Sequence, residues 1–346
     1  MKHDLNIWKK LYDVANQWKI SKPWQKVWSN DWIKIDLPDD NYYCSIMGKM
    51  GDCIGLSIYR GNDGLKDLES LLIEQVDSSV TNYIMHDQTC LVFYLGDRVE
   101  VPKQQKEIIK ELGLRYRGNG NWPYFLSYKK RFIPNHINDS QARILVQVMQ
   151  QLLEITDLYD KKEIDVKFDK DEMINAYQKG NQWYYEPIII PQLDKFISVE
   201  LSDENEKQKI INQHYNNNNL IIDFVYLNTP IDDKNYDRPV NPLLFIVLDE
   251  TSQIIIYNHM LSPEEDEIEV VLFFLCSYIL EDGTRVLSGN AMQNALKLQD
   301  ESDNASGTRL ARYLNQTTLK PFIYKDKAPG HFDPIVCYKG EQKING

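Results

Sequence analysis

The chain has 346 residues, more than a single hydrophobic core usually serves, so two domains are expected. Charged residues make up 26% and the hydrophobic set 42%, which excludes disordered and fibrous classes, while a formal net charge of -12 disfavours general attraction to nucleic acid or anionic lipid. The five cysteines, Cys44, Cys53, Cys90, Cys276 and Cys337, are scattered and lack a CxxC pair, which argues against a disulfide scaffold or a cysteine zinc site.

In chain order, Leu5, Trp8, Leu11, Tyr12, Ala15 and Trp18 have helical spacing, and Pro23 stops that helix. The start has no apolar core of signal-peptide length, so a cytoplasmic protein is expected. "WIKIDLP" and "CIGLSIY" alternate as strands, and the glycines between them, Gly48 and Gly51, predict a hairpin rather than a phosphate loop. "RGNDGL", Arg60 to Leu65, precedes a helix and is the better anion-binding candidate, with Asp63 expected as the cap. "CLVFYLGDR" is a strand, "IIKELG" ends a helix at Gly113, and "YFLSYKKRFIP" is another strand. Asn138 with Gln141 forms a capping-box pattern ahead of the apolar stripe Ala142, Leu145, Val148, Met149, Leu152 and Ile155.

The charge-dense "DLYDKKEIDVKFDKDEM" is expected to hold the domain boundary, leaving domains at 1–165 and 180–346. Beyond it "PIIIPQLDKFISVEL" reads as strand and "ENEKQKIINQHY" as a short helix. "LIIDFVYL", "NPLLFIVLDE" and "QIIIYNHML" are three strands, the last two joined by a "DETS" turn. A helix is expected from Ser262 to Gly283, followed by the strand "TRVLSG", helical pieces "AMQNALKL" and "TRLARYL", and a last strand "KPFIY". The predicted fold class is an α+β first domain, an antiparallel sheet with flanking helices, and an α/β second domain. The apolar run Val270 to Leu280 is too short to span a bilayer, so no membrane partner is expected.

Two groups of residues carry candidate chemistry. In "RYRGNGNWPYFLSYKKRF" the cations Arg115, Arg117, Lys129, Lys130 and Arg131 interleave with Tyr116, Trp122, Tyr124, Tyr128 and Phe132. Single-stranded nucleic acid is held by such a pairing of stacking rings and cations, provided that all five cations share one exposed face. With Arg60 and Trp122, these five cations form the ligand-binding candidate set. The six histidines are isolated, and Cys90 and Cys276 lie in apolar runs where a thiolate is disfavoured, so neither a histidine metal site nor a thiol nucleophile is indicated. Asp223 interrupts an apolar strand and is the catalytic candidate. Asp249 falls about 10 Å from it in an antiparallel pairing, too far for a shared metal ion.

The order of elements in the second half resembles the ribonuclease H-like fold. That resemblance implies a carboxylate midway along the first strand, matched by Asp223, and a second at the end of the fourth strand, with magnesium or manganese as cofactor. The fourth strand instead ends "VLSGN", without an acidic residue. A broader resemblance rests on "LYDVANQWKISKPWQKVW", "YYCSIMGKMGDCIGLSIYRGNDGL" and "RPVNPLLFIVLDETSQII", which look like a group of uncharacterised bacterial proteins pairing two domains of unknown function. The functional expectation is a non-enzymatic binding or interaction protein without cofactor, its partner a protein or a single-stranded nucleic acid on residues 115–132. The alternative is a divergent metal-dependent nuclease or nucleic-acid-processing factor using Asp223.

Overall fold

The computed structural model describes residues 3–71, 86–193, 204–212, 214–215, 220–249, 252–281 and 284–285. The chain divides into two compact units. One comprises Met1–Leu72, Gln88–Lys129 and Pro134–Leu193; the other comprises Ile73–Asp87, Lys130–Ile133 and Asp194–Gly346. The fold is mixed α+β, with a large sheet flanked by helices and a smaller three-stranded sheet.

The first unit is built on eight strands: β1 (Ile33–Asp36), β2 (Asn41–Met47), β3 (Gly55–Arg60), β4 (Cys90–Gly96), β5 (Trp122–Tyr128), β6 (Asn135–His136), β7 (Glu172–Lys179) and β8 (Gln182–Ile189). Their order across the sheet is β6-β5-β4-β3-β2-β1-β7-β8. The sheet is mixed rather than wholly antiparallel, because β1 runs antiparallel to β2 but parallel to β7. It also continues past residue 165, since β7 and β8 complete it.

The inner strands alternate their side chains between two buried faces. Ile33, Ile35, Tyr42, Cys44, Ile46, Leu56, Ile58, Ile174 and Ala176 pack with helices α1 (Leu5–Ser21) and α4 (Asp139–Asp160). Tyr43, Tyr59, Cys90, Val92 and Met173 face the other way, toward Leu65 and Leu68 of α2 (Gly61–Ser70). Between β4 and β5 lies α3 (Lys103–Glu111), which Gly113 follows at φ 68°, the left-handed stop expected there. The capping box at Asn138 and Gln141 is formed as read from the sequence. The start of α2 differs: β3 runs straight into it, no side chain caps it, and Asp63 lies exposed in its first turn. Two glycines make this connection close. Gly61 turns the chain at φ 64°, and at Gly64 a Cβ would stand 2.8 Å from the Tyr59 carbonyl carbon. The Gly48–Gly51 segment is a hairpin turn, closed by the Gly51 amide donating to the Gly48 carbonyl at 2.9 Å.

In the second unit β10 (Leu220–Tyr226), β11 (Leu243–Asp249) and β12 (Ile254–Leu261) form an antiparallel meander, preceded by α5 (Glu204–Ile211) and β9 (His214–Tyr215). Helix α6 (Glu267–Glu281) follows, and β13 (Thr284–Arg285) pairs parallel with β9. The helix starts later than the Ser-Pro-Glu-Glu signal suggested. Glu265 uses its carboxylate on the Ser262 amide and on His259, leaving Asp266 to accept from the amides of Ile268 and Glu269 at the true N-terminus. The expected "VLSGN" strand end, the two helical pieces, the "KPFIY" strand and Cys337 lie outside the described residues.

At one edge of the first sheet, His136 stacks on Trp8 at 5.1 Å and meets Gln105 through Nδ1 at 3.2 Å. Burial, with His3 beside it, pushes this imidazole from 6.5 down to about 4. Burial opposes the charge of Asp139 as well, but hydrogen bonds from the Asp4 amide and the Trp8 indole hold that carboxyl below its ordinary value. A depressed histidine pKa means that the unfolded chain binds the proton first. Stability from neutral His136 is therefore complete above about pH 6.5 and is lost as pH falls toward 4, a window in which Asp139 stays ionised. Urea midpoints should fall between pH 6.5 and 4 in the wild type, and His136→Phe should flatten that slope.

Candidate functional site

The basic aromatic segment does not present one surface. Arg115, Arg117 and Lys129 are exposed, and Trp122 is half-buried at the start of β5, with the Arg98 guanidinium 5.8 Å from its ring. Tyr124 and Phe125 belong to the core. The strand stops at Tyr128, and Arg131 adopts φ 67°, which no strand accommodates. Lys130 pairs with Asp87 at 3.6 Å, and Arg131 turns inward. The five cations therefore do not share an exposed face. Arg60 is exposed at the end of β3, with Nε 2.6 Å from Oδ2 of Asp40. Asp223 is half-buried on β10 opposite Ile246, its Oδ1 accepting from the Phe224 amide at 2.7 Å. Leu220 pairs with Asp249, which separates the two aspartates along the strand as the antiparallel reading required.

Arg131 lies in a closed polar centre of the second unit. Its Nη2 donates to Oε1 of the fully buried Glu267 at 2.9 Å and to the Glu265 carbonyl at 3.3 Å. Its backbone carbonyl accepts from the Asn241 amide at 2.8 Å. The Asn241 side chain meets Nδ1 of His86 at 3.2 Å, and burial lowers the pKa of that imidazole. These groups fasten the 130–133 segment to the strands and helix of this unit, with the pair itself shut away from solvent.

The first unit assembles a different arrangement, open at one end. Strand register places Tyr43, Lys34, Asn175 and Glu186 side by side across β2, β1, β7 and β8, on the face opposite Ile33, Ile35 and Ile174. Asn41 and Asp36 form the next cross-strand pair on that face. Lys34 Nζ bonds both Asp36 oxygens, at 2.7 and 3.0 Å. Burial raises the pKa of Tyr43, and Asp36, Asp40 and Glu69 push it the same way. Asn175 is 8% exposed, and its Oδ1 has no hydrogen-bond partner; Asn41 Oδ1 is likewise buried and unpartnered. Toward the edge, Tyr177 stacks on Tyr184 at 5.8 Å, with Lys179 Nζ 5.2 and 5.6 Å from the two rings. Glu186 is exposed there and accepts from the Tyr177 hydroxyl at 3.4 Å. This polar strip runs from an exposed edge to a buried amide. Among the described residues no group of three or more histidine, cysteine, aspartate and glutamate side chains is placed to hold a metal ion.

The alternation in "WIKIDLP" did show Lys34 and Asp36 turned away from the core. Asn175 was missed because it follows the charge-dense segment read as a boundary. The signal there is Gly180-Asn181, a turn pair between two runs that alternate, and Gly180 does adopt φ 63°.

The two units and their sheets define a two-part α+β protein, and no helix among the described residues is long and apolar enough to cross a membrane. One family, a domain of unknown function (DUF7309), matches residues 8–176, and a second domain of unknown function (DUF6930) matches residues 206–294. The two matches lie on one chain, consistent with a two-domain family of unknown function. No curated protein and no solved structure matches it.

Removing one member of a buried ion pair strands the other charge, whereas replacing both by apolar groups does not. Arg131→Met should reduce unfolding free energy by about 3–5 kcal/mol. The double variant Arg131→Met with Glu267→Leu should recover most of that loss, as measured by chemical denaturation.

Proposed function

We propose that this chain is a non-enzymatic binding protein whose ligand docks on the polar strip of the first unit, between the Tyr177–Tyr184 edge and Asn175. The observation that carries the reading is the unpartnered, buried Oδ1 of Asn175. A buried acceptor without a donor costs about 1–3 kcal/mol, and the position lies between a strand row of polar groups and a solvent-exposed glutamate, where a ligand would supply the donor. Asn175→Leu, close in size, should leave unfolding free energy unchanged or raise it by about 1 kcal/mol while abolishing ligand-induced stabilisation. Thermal melts of both proteins against amines, guanidines, sugars, nucleotides and phosphate read this out. A wild type stabilised by none of them, or a variant that responds as the wild type does, overturns the reading.

A metal-dependent nuclease built on Asp223, with magnesium or manganese and a ribonuclease H-like order in the second half, is the second reading. What supports it is the meander followed by a helix, together with the position of Asp223 midway along β10 on the less buried face. Incubation with labelled single- and double-stranded DNA and RNA, with and without either ion, tests it. Cleavage abolished by Asp223→Asn supports the nuclease and no cleavage overturns it, while salt-dependent retention lost on neutralising Arg115, Arg117 and Lys129 marks binding of the strand.

A further inference from the structure

The buried amide oxygen of Asn175 lacks a donor, and the cations of the polar strip are already engaged. Lys34 is held by Asp36 at 2.7 Å, and Lys179 lies over the Tyr177 and Tyr184 rings. The carboxylates Asp36, Glu69 and Glu186 surround or border the row, against Lys34 and Lys179. An anion entering here would meet the Asn175 amide oxygen and an excess of carboxylate. A neutral hydroxyl would satisfy the amide but draw nothing from that field. A nitrogen cation does both. The Tyr177–Tyr184 stack adds a third element, because an ammonium of the chain itself, Lys179, already lies within cation–π range of both rings.

We infer that the strip binds a guanidinium or ammonium group beside the Tyr177–Tyr184 stack, an N–H donor directed to Asn175 Oδ1 and its charge opposed by the cross-strand neighbour Glu186. This rests on the binding reading above and names the ligand class for it. An arginine or lysine side chain of a peptide and a free polyamine share that chemistry.

Isothermal titration of the full chain with agmatine, spermidine and an arginine-containing peptide amide, beside inorganic phosphate and glucose, tests the class. Cation binding is expected, weakening with added salt, reduced about tenfold or more in Asn175→Leu, and reduced also in Glu186→Gln, an exposed change that leaves the fold intact. Preference for the peptide over agmatine would identify a protein ligand, and the reverse a small metabolite. If glucose or phosphate binds in an Asn175-dependent way, the cation assignment is overturned while the binding reading stands. If no probe shows binding that depends on Asn175, both are overturned.

Discussion

The first unit depends on a strand of four residues. β1 is hydrogen-bonded on both sides, antiparallel to β2 and parallel to β7, so it joins the meander β2–β5 to the hairpin β7–β8. A parallel neighbour needs a crossover, and the 22-residue α4 supplies its last leg, lying on the sheet with Leu145, Met149 and Leu152 buried. Trp18 of α1 fastens that helix by donating its indole N–H to the Met149 carbonyl at 3.1 Å. Ile33 and Ile35 hold β1 to this core, which leaves Lys34 and Asp36 no choice of face.

That constraint produces the polar strip. Both faces of a central strand are expected to be covered, and Tyr43, with Trp32 and Met173 nearby in the same cluster, shows that the second face is largely apolar as well. Asn175 departs from this by offering an oxygen that nothing in the fold satisfies. The Lys34–Asp36 pair, by contrast, is internally complete. A self-satisfied ion pair explains itself through structure, whereas an orphaned buried acceptor calls for a reason outside the fold.

The second unit treats its charges in the opposite manner. Glu267 opens α6 and is fully buried, and Arg131 reaches it from a segment that interrupts the first half of the chain. A buried arginine bound to a carboxylate at a helix N-terminus is an anchoring device. Its left-handed backbone, φ 67°, is held by the Asn241 amide on its carbonyl and by the Phe132 and Val240 bridge. The cation that composition grouped with a nucleic-acid footprint therefore secures the fold.

Local pattern marked many of the elements. Helical spacing marked α1 and α4, alternation marked β1 and β3, apolar runs bounded by turn residues marked β4, β5 and the meander β10–β12, and Asn138 with Gln141 marked a helix start, because caps and periodicity act within a few residues. The glycines of "GKMG" were legible as a hairpin for the same reason. Only tertiary structure decided the partners. β7 joins the sheet beside a strand some 140 positions earlier, the "KKRF" end leaves its strand for another unit, and the row through Lys34 and Asn175 exists only once β1 and β7 lie parallel. Register between distant strands is set by which faces can be buried together, and no window of adjacent residues contains that information.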